Sequence, residues 1–154
     1  GGFVGTLDFG GVPLVGSTMA NTDNIFVAKL GSSGQHLWSK QFGDGLQQFG
    51  YAAATGPGGT VLVTGFAAGT VDFGGGSLLS AGGRDVFLAR FDSSGNHLSS
   101  KLFGDAGDQY GTALAADDAG GAYLTGYFSS GLDFGTGLLT SAGGDDIFLA
   151  RLAP

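Results

Sequence analysis

Three segments of this chain are variants of one line: DNIFVAKLGSSGQHLWSKQFGD (23–44), DVFLARFDSSGNHLSSKLFGD (85–105) and DDIFLARL (145–152). Phe26, Phe87 and Phe148 fall at equal steps of 61 residues (87 − 26 = 148 − 87), and the pairs Gly43-Asp44 and Gly104-Asp105 keep the same step. Thr64-Gly65-Phe66 maps onto Thr125-Gly126-Tyr127, Asp72-Phe73-Gly74 onto Asp133-Phe134-Gly135, and Phe49-Gly50-Tyr51 onto Tyr110-Gly111-Thr112. The Asp8-Phe9-Gly10 copy stands 64 residues before Asp72 (72 − 8), three more than the period, which places an insertion, and so a loop, between Gly10 and Asp23. Text that recurs at such a spacing describes a structural unit that buries its core against further copies of itself.

Four short β-type runs fill the central period, each bounded by Gly, Asp, Ser or Asn: YAAAT (51–55), TVLVTGF (60–66), DVFLARF (85–91) and HLSSKLF (97–103). We call these strands a, b, c and d. The links GPGG and DDAGG between a and b, and DSSGN between c and d, read as tight turns of antiparallel hairpins. In DSSGN, Asp92 is placed to accept from nearby backbone N–H groups and Gly95 to supply a positive φ. Strand c puts Phe87, Ala89 and Phe91 on one face and Val86, Leu88 and Arg90 on the other, so both faces are largely apolar. A sheet built this way expects neighbours on both sides.

All 13 acidic residues are Asp, a turn and cap former, and 33 residues are Gly, which together argue against helices. The expected fold is all-β: a β-propeller built of four-stranded antiparallel blades of about 61 residues. A parallel β-solenoid is the alternative, with shorter coils and no need for repeated hairpin turns. Disorder is opposed by Phe residues that recur in register with Val, Ile and Leu. Residues 1–154 read as part of one propeller, with a partial blade over 1–45, a full blade over 46–107 and a partial blade over 108–154. Propellers close with about four to eight blades. The ring here is therefore incomplete, and further blades are expected from a longer chain or from homo-oligomerisation.

The elements AYLTGYFSSGLDFG, GGDDIFLARL, DSSGNHLSSKLFGD and QHLWSKQFGD resemble the SBBP-type bacterial β-propeller repeat, with its Tyr-x-Thr-Gly strand, Asp-Phe element, Asp-x-Phe-x-Ala-Lys/Arg strand and Gly-Asn-x-Leu-Trp-Ser segment. The resemblance extends over essentially the whole chain. It departs at Ser99, where the first copy has Trp38, and at the three-residue insertion. It implies a non-enzymatic repeat module of a secreted or cell-surface bacterial protein, acting as a binding scaffold. The alternatives are a structural element whose fragments oligomerise and, more remotely, a propeller-based hydrolase or lyase.

A net charge of −7 with only six Lys and Arg argues against nucleic acid and anionic membrane as partners and leaves a protein or glycan partner. The chain has no Cys for disulfides or thiolate metal sites. No apolar run approaches the ~20 residues of a membrane span, and no basic-then-apolar leader opens the sequence.

Sorting the acids by loop places Asp8, Asp23, Asp44, Asp72, Asp85, Asp105, Asp108, Asp133, Asp145 and Asp146 at the b–c and d–a connections, which share one side of a propeller. Of these, Asp44, Asp72, Asp105, Asp108 and Asp133 are candidate ligands for a hard cation such as Ca²⁺, which takes carboxylate and carbonyl oxygens. The competing reading is that Asp caps loops once per repeat, and the lack of an Asp-x-Asp-x-Asp-Gly loop favours it. Asp-Phe-Gly is not the kinase magnesium motif, because the chain has no Glu at all. Phe9, Phe73 and Phe134 are instead expected to pin the long b–c loop to its sheet, and Phe26, Phe87 and Phe148 to form the repeated core. Lys29, Arg90 and Arg151 share one strand-c position, where a largely buried charge expects an Asp across the neighbouring blade. His36 and His97 open strand d with no third ligand for zinc beside them, and Trp38 is expected to pack on the outer strand. No catalytic constellation or cofactor motif is identifiable.

Overall fold

The period-two alternation of apolar residues sets the architecture: every long run folds as a strand, and the only helical turn among the described residues is a short 3-10 turn at Pro57–Gly59. The structure is a computed structural model and describes residues 1–19 and 22–154. In chain order the strands are β1 (Gly2–Phe3), β2 (Thr6–Leu7), β3 (Leu14–Val15), β4 (Asn24–Leu30), β5 (His36–Phe42), β6 (Gln48–Thr55) and β7 (Val61–Asp72). They continue as β8 (Ser77–Phe91), β9 (His97–Phe103), β10 (Gln109–Ala116), β11 (Ala122–Phe128), β12 (Gly131–Asp133), β13 (Leu138–Thr140) and β14 (Asp146–Leu152).

The repeat becomes three antiparallel sheets, with orders β1-β4-β5, β6-β7-β8-β9 and β10-β11-β14. Every neighbouring pair is antiparallel, which excludes the solenoid. The registers are equivalent across copies: Gly65 faces Phe87 and Gly126 faces Phe148. That glycine is required by close approach, since a Cβ on Gly65 would collide with the carbonyl oxygen of Phe49, and one on Gly126 with that of Tyr110. A register shift follows Gly50 in β6 and recurs after Gly111 in β10.

The segment expected as a long b–c loop is largely a β-ribbon. β7 and β8 run on beyond the sheet and pair Thr70 with Leu79, Val71 with Leu78 and Asp72 with Ser77. The other repeats carry the same ribbon as the small hairpins β2–β3 and β12–β13. Its Gly- and Ser-rich composition hid the alternation in the sequence. The insertion expected between Gly10 and Asp23 includes positions 20 and 21, which lie outside the described residues.

The core lies between sheets. Ile25, Val27 and Phe42 of the first sheet pack with Val61, Val63, Phe87, Ala89 and Phe91 of the central one. On the opposite face of the central sheet, Leu62, Val86, Leu88 and Phe103 pack with Leu124, Phe128 and Phe148 of the third. Both faces of the central sheet are therefore buried by copies of itself. The ribbon phenylalanines wedge these interfaces. Phe73 stacks between Phe42 of the preceding sheet at 5.1 Å and Phe87 of its own at 4.9 Å, and Phe134 stands the same way between Phe103 (4.9 Å) and Phe148 (5.1 Å). Phe9 meets only Phe26 of this set, at 5.4 Å. Each ring so enclosed contributes about 1.5–3 kcal/mol by burial.

Candidate functional site

The acidic residues resolve into turns and clamps. Asp72 Oδ1 accepts from the N–H groups of Gly74 (2.7 Å) and Gly76 (3.1 Å), and Asp133 Oδ1 from those of Gly135 (2.6 Å) and Gly137 (3.2 Å), so Asp-Phe-Gly closes the ribbon tip. Asp8 does the same with Gly10 at 2.7 Å. The two backbone donors hold the Asp133 carboxyl below its ordinary range. Asp92 Oδ1 accepts from Ser94 and Asn96, both at 2.8 Å, and Gly95 has φ 83°.

Asp44 and Asp105 tie the d–a connection to the root of the next ribbon. Asp44 accepts from Leu46 N (2.7 Å), Gln48 Nε2 (2.6 Å) and Thr70 N (2.9 Å), while Gln48 Nε2 also donates to Ala68 O at 2.7 Å. Asp105 accepts from Gly107 N (2.8 Å), Gln109 Nε2 (2.7 Å) and Ser130 Oγ (2.8 Å). Burial works against charge on both carboxyls, but the converging donors outweigh it and hold both below the ordinary range. Gln48 and Gln109 are fully buried. Sequence reasoning missed them, although Gly-Asp-x-x-x-Gln recurs at 43–48 and 104–109.

Asp85 is buried with Oδ2 accepting from Ala81 N at 2.8 Å, while Oδ1 has no partner. Burial first, and then nearby Asp105, push its carboxyl above the ordinary range. The equivalent residue of the first copy is Asn24, whose Oδ1 accepts from Ser17 N at 2.8 Å. In the third it is the more exposed Asp146, which accepts from Ala142 N at 2.6 Å and is held below the ordinary range chiefly by that bond.

None of the three strand-c cations forms the ion pair expected across blades. Lys29 Nζ donates to Ser93 O at 2.8 Å and the Arg90 guanidinium to Ala153 O at 2.7 Å, each a backbone carbonyl of the following sheet's end. A carbonyl accepts the charge-assisted bond without a second buried ion to desolvate. Arg151 alone pairs with Asp, meeting Asp117 of its own sheet's turn at 2.7 Å. Trp38 also donates to Ser93 O, at 3.1 Å, and packs on the core between the first two sheets. His36 Nε2 lies 3.0 Å from Ser39 Oγ and His97 Nε2 2.9 Å from Ser100 Oγ, with the imidazoles against ribbon glycines Gly11 and Gly75.

One cluster breaks the repeat. Arg84 occupies the position held by Asp23 and Asp145 in the other copies. Its guanidinium donates to Asp108 Oδ2 and Tyr110 Oη, both at 3.1 Å, and to Gln47 Oε1 at 2.8 Å, while its N–H donates to Asp108 Oδ1 at 3.0 Å. It lies 5.3 Å from the Phe66 ring centroid and 5.9 Å from that of Tyr110. These rings belong to a continuous row: Phe49–Tyr51 at 5.0 Å, Tyr51–Phe66 at 5.8 Å, Phe66–Tyr110 at 5.1 Å and Tyr110–Tyr127 at 4.7 Å. Tyr51 is exposed and Tyr110 and Tyr127 half-buried. Burial is the main cause that raises both of the latter phenols, so both stay neutral hydrogen-bonding groups. The signal available in the sequence was the charge reversal at Arg84 against its two aspartate counterparts.

The five candidate cation ligands thus sit in separate settings: Asp72 and Asp133 at ribbon tips, Asp44 and Asp105 in clamps, Asp108 on Arg84. Among the described residues no group of three or more His, Cys, Asp or Glu side chains comes together as a metal-holding cluster. No described helix is long and apolar enough to cross a membrane. A scan against protein-family models finds no match for the chain, and a search of curated proteins finds no relative of it.

Proposed function

We propose that the three sheets are blades of a β-propeller of the SBBP type, in a bacterial protein exported to the outside of the cell or its surface, and that the module is a non-enzymatic binding scaffold. The observation that carries this reading is the central sheet, four antiparallel strands buried on both faces by copies of the same repeat. Features that recur between copies (the phenylalanine wedges of Phe73 and Phe134, the two Asp-Gln clamps, the Asp-capped tips) serve the fold. Recognition falls to what differs between copies, and the largest such difference is Arg84 with Asp108, Gln47 and the aromatic row. Exposed aromatic faces beside fixed hydrogen-bonding groups suit a glycan, whose rings stack while its hydroxyls bond.

A glycan array probed with the chain and with Tyr51→Ala tests this. The expected result is binding by the parent chain that is weakened or lost in the variant, at unchanged melting temperature. A parent chain that binds no glycan, or that turns a bound glycan over, would sink the reading.

A further inference from the structure

One buried carboxyl faces a group that has nothing to donate to it. Asp85 of β8 and Gln109 of β10 are 2% and 0% exposed, and Asp85 Oδ1 and Gln109 Oε1 crowd a single point, the place where a Cβ on Gly104 would stand. The orientation of Gln109 is fixed by its other atom. Its Nε2 donates to Asp105 Oδ1 at 2.7 Å, Gly131 O at 3.2 Å and Ser129 O at 3.3 Å, and a reversed amide would set an oxygen against three acceptors. Two acceptor oxygens therefore meet in the interior, with a donor missing between them.

The first copy shows what the place requires. Asn24 stands at the position of Asp85, and its Oδ1 accepts from Ser17 N at 2.8 Å, which assigns Nδ2 to the other side. Asn24 Nδ2 and Gln48 Oε1 each lie 2.6 Å from the point that a Cβ on Gly43 would occupy. An N–H group fills the place in one interface and a carboxyl oxygen fills it in the next.

We infer that Asp85 holds a proton on Oδ1 and donates it to Gln109 Oε1, forming a pH-sensitive latch between the central and third sheets. The charged side chain that acts on Asp85 is Asp105, whose oxygens accept from Gly107 N, Gln109 Nε2 and Ser130 Oγ and which stays ionised. Arg84 and Asp108, the residues that precede Asp85 and Gln109 on the two strands, pair with each other. On β7 the residue opposite Asp85 is Ala67, and β9 brings up Phe103. A buried carboxyl beside a like charge, with no cation turned toward it, keeps its proton. When that proton leaves to solvent, Oδ1 repels Oε1 and pushes Gln109 from Ser129 and Gly131 at the root of β12. The stability that the latch contributes is fully present below the unfolded-state value of the carboxyl and is lost as pH rises through the folded one. The inference stands whatever the Arg84 cluster binds.

Carbon-13 NMR of the aspartate carboxyls across pH tests it, on the full chain and on Asp85→Asn and Asn24→Asp. In the parent chain one signal is expected to keep its protonated position after the others have ionised, and to be absent from Asp85→Asn. That variant folds because Asn24 already fills the same place in the first copy. Asn24→Asp should add a second late-ionising signal opposite Gln48; should it fail to fold, the parent chain and Asp85→Asn still decide. An Asp85 signal, or one introduced at position 24, that ionises together with the others overturns the inference. So does a melting temperature at neutral pH and constant ionic strength that depends on the choice of sodium, potassium or calcium in the parent but not in Asp85→Asn, since a metal ion would then bridge the two oxygens in place of the proton.

Discussion

Strands β8 and β14 are written in almost the same letters, DVFLARF and DIFLARL, and pair with the preceding strand in the same register, yet they live in different surroundings. β8 has β7 and β9 on its edges and a sheet on each face, whereas β14 pairs only with β11 among the described residues and leaves one face open. The letters determine that the segment is a strand and which side chains share a face. What each side chain is worth comes from the neighbour. Identical substitutions in the two strands should therefore have unequal costs, and that inequality is what can be measured.

The largest contrast comes from placing a carboxylate on equivalent sites. Val86→Asp puts a charge where nothing can pair with it and should cost more than about 4 kcal/mol, enough to unfold a domain of ordinary stability. Ile147→Asp should stay within about 0.5 kcal/mol in dilute solution. Denaturant melts of both variants decide the matter, and equal costs would remove the distinction between the strands. Next comes the aromatic core. Phe87→Ala, which empties a site enclosed between Phe73 and the first sheet, should cost about 3–5 kcal/mol. Phe148→Ala should cost less, because β14 is open on its other face and can relax into the space. A Phe87→Ala cost below about half a kcal/mol is incompatible with a ring held on both sides.

These contrasts also mark how far the sequence could be read. Strand d was legible to the residue, as His97–Phe103, because polar turns bound it on each side. The two-sided burial of β8 was legible from its lack of a polar face. The ribbon was not, since Gly69, Gly74, Gly75 and Gly76 break up an alternation that only pairing reveals. The phenylalanine wedge could be anticipated, but not that Phe73 would touch Phe42 of the preceding copy, a contact between residues that no local pattern joins. The same limit hid the Arg84 cluster, whose partners come from positions 47, 108 and 110. The acids were legible as turn formers. Which of them would be stranded in the interior was not.

Asp85 and Asp146 carry the comparison into titration. The folded-state pKa of Asp85 is raised, so its contribution to stability is fully present below the unfolded value and is lost as pH rises through the folded one. Above that window an ionised carboxylate with an unpaired Oδ1 is buried at a cost of about 1–3 kcal/mol. Asp85→Asn should accordingly stabilise the chain near neutral pH, with a gain that shrinks to nothing in acid. Asn24 already stands at this position in the first copy. Asp146 is shifted the other way, so its contribution is present above the unfolded value and is lost as pH falls through the folded one. Asp146→Asn should destabilise near neutral pH. Melting temperatures of the two variants followed against pH should diverge in sign, and parallel curves would mean that the two carboxyls share one environment.

The smallest predicted effect isolates a single hydrogen bond. Thr64 Oγ1 donates to Phe87 O at 2.6 Å in the interior, and Thr125 Oγ1 donates to Phe148 O at 2.6 Å in the half-buried copy of the same pair. Substitution by Val keeps the branched shape and the strand preference, so no cavity opens and the measured change reads the lost bond and the partner left behind. At Thr64 that change should be about 1 kcal/mol, because no water reaches the carbonyl to replace the hydroxyl. At Thr125 solvent can substitute, and the cost should fall below what a denaturant melt resolves. If Thr125→Val cost as much as Thr64→Val, the open face of the third sheet would have to be covered in solution.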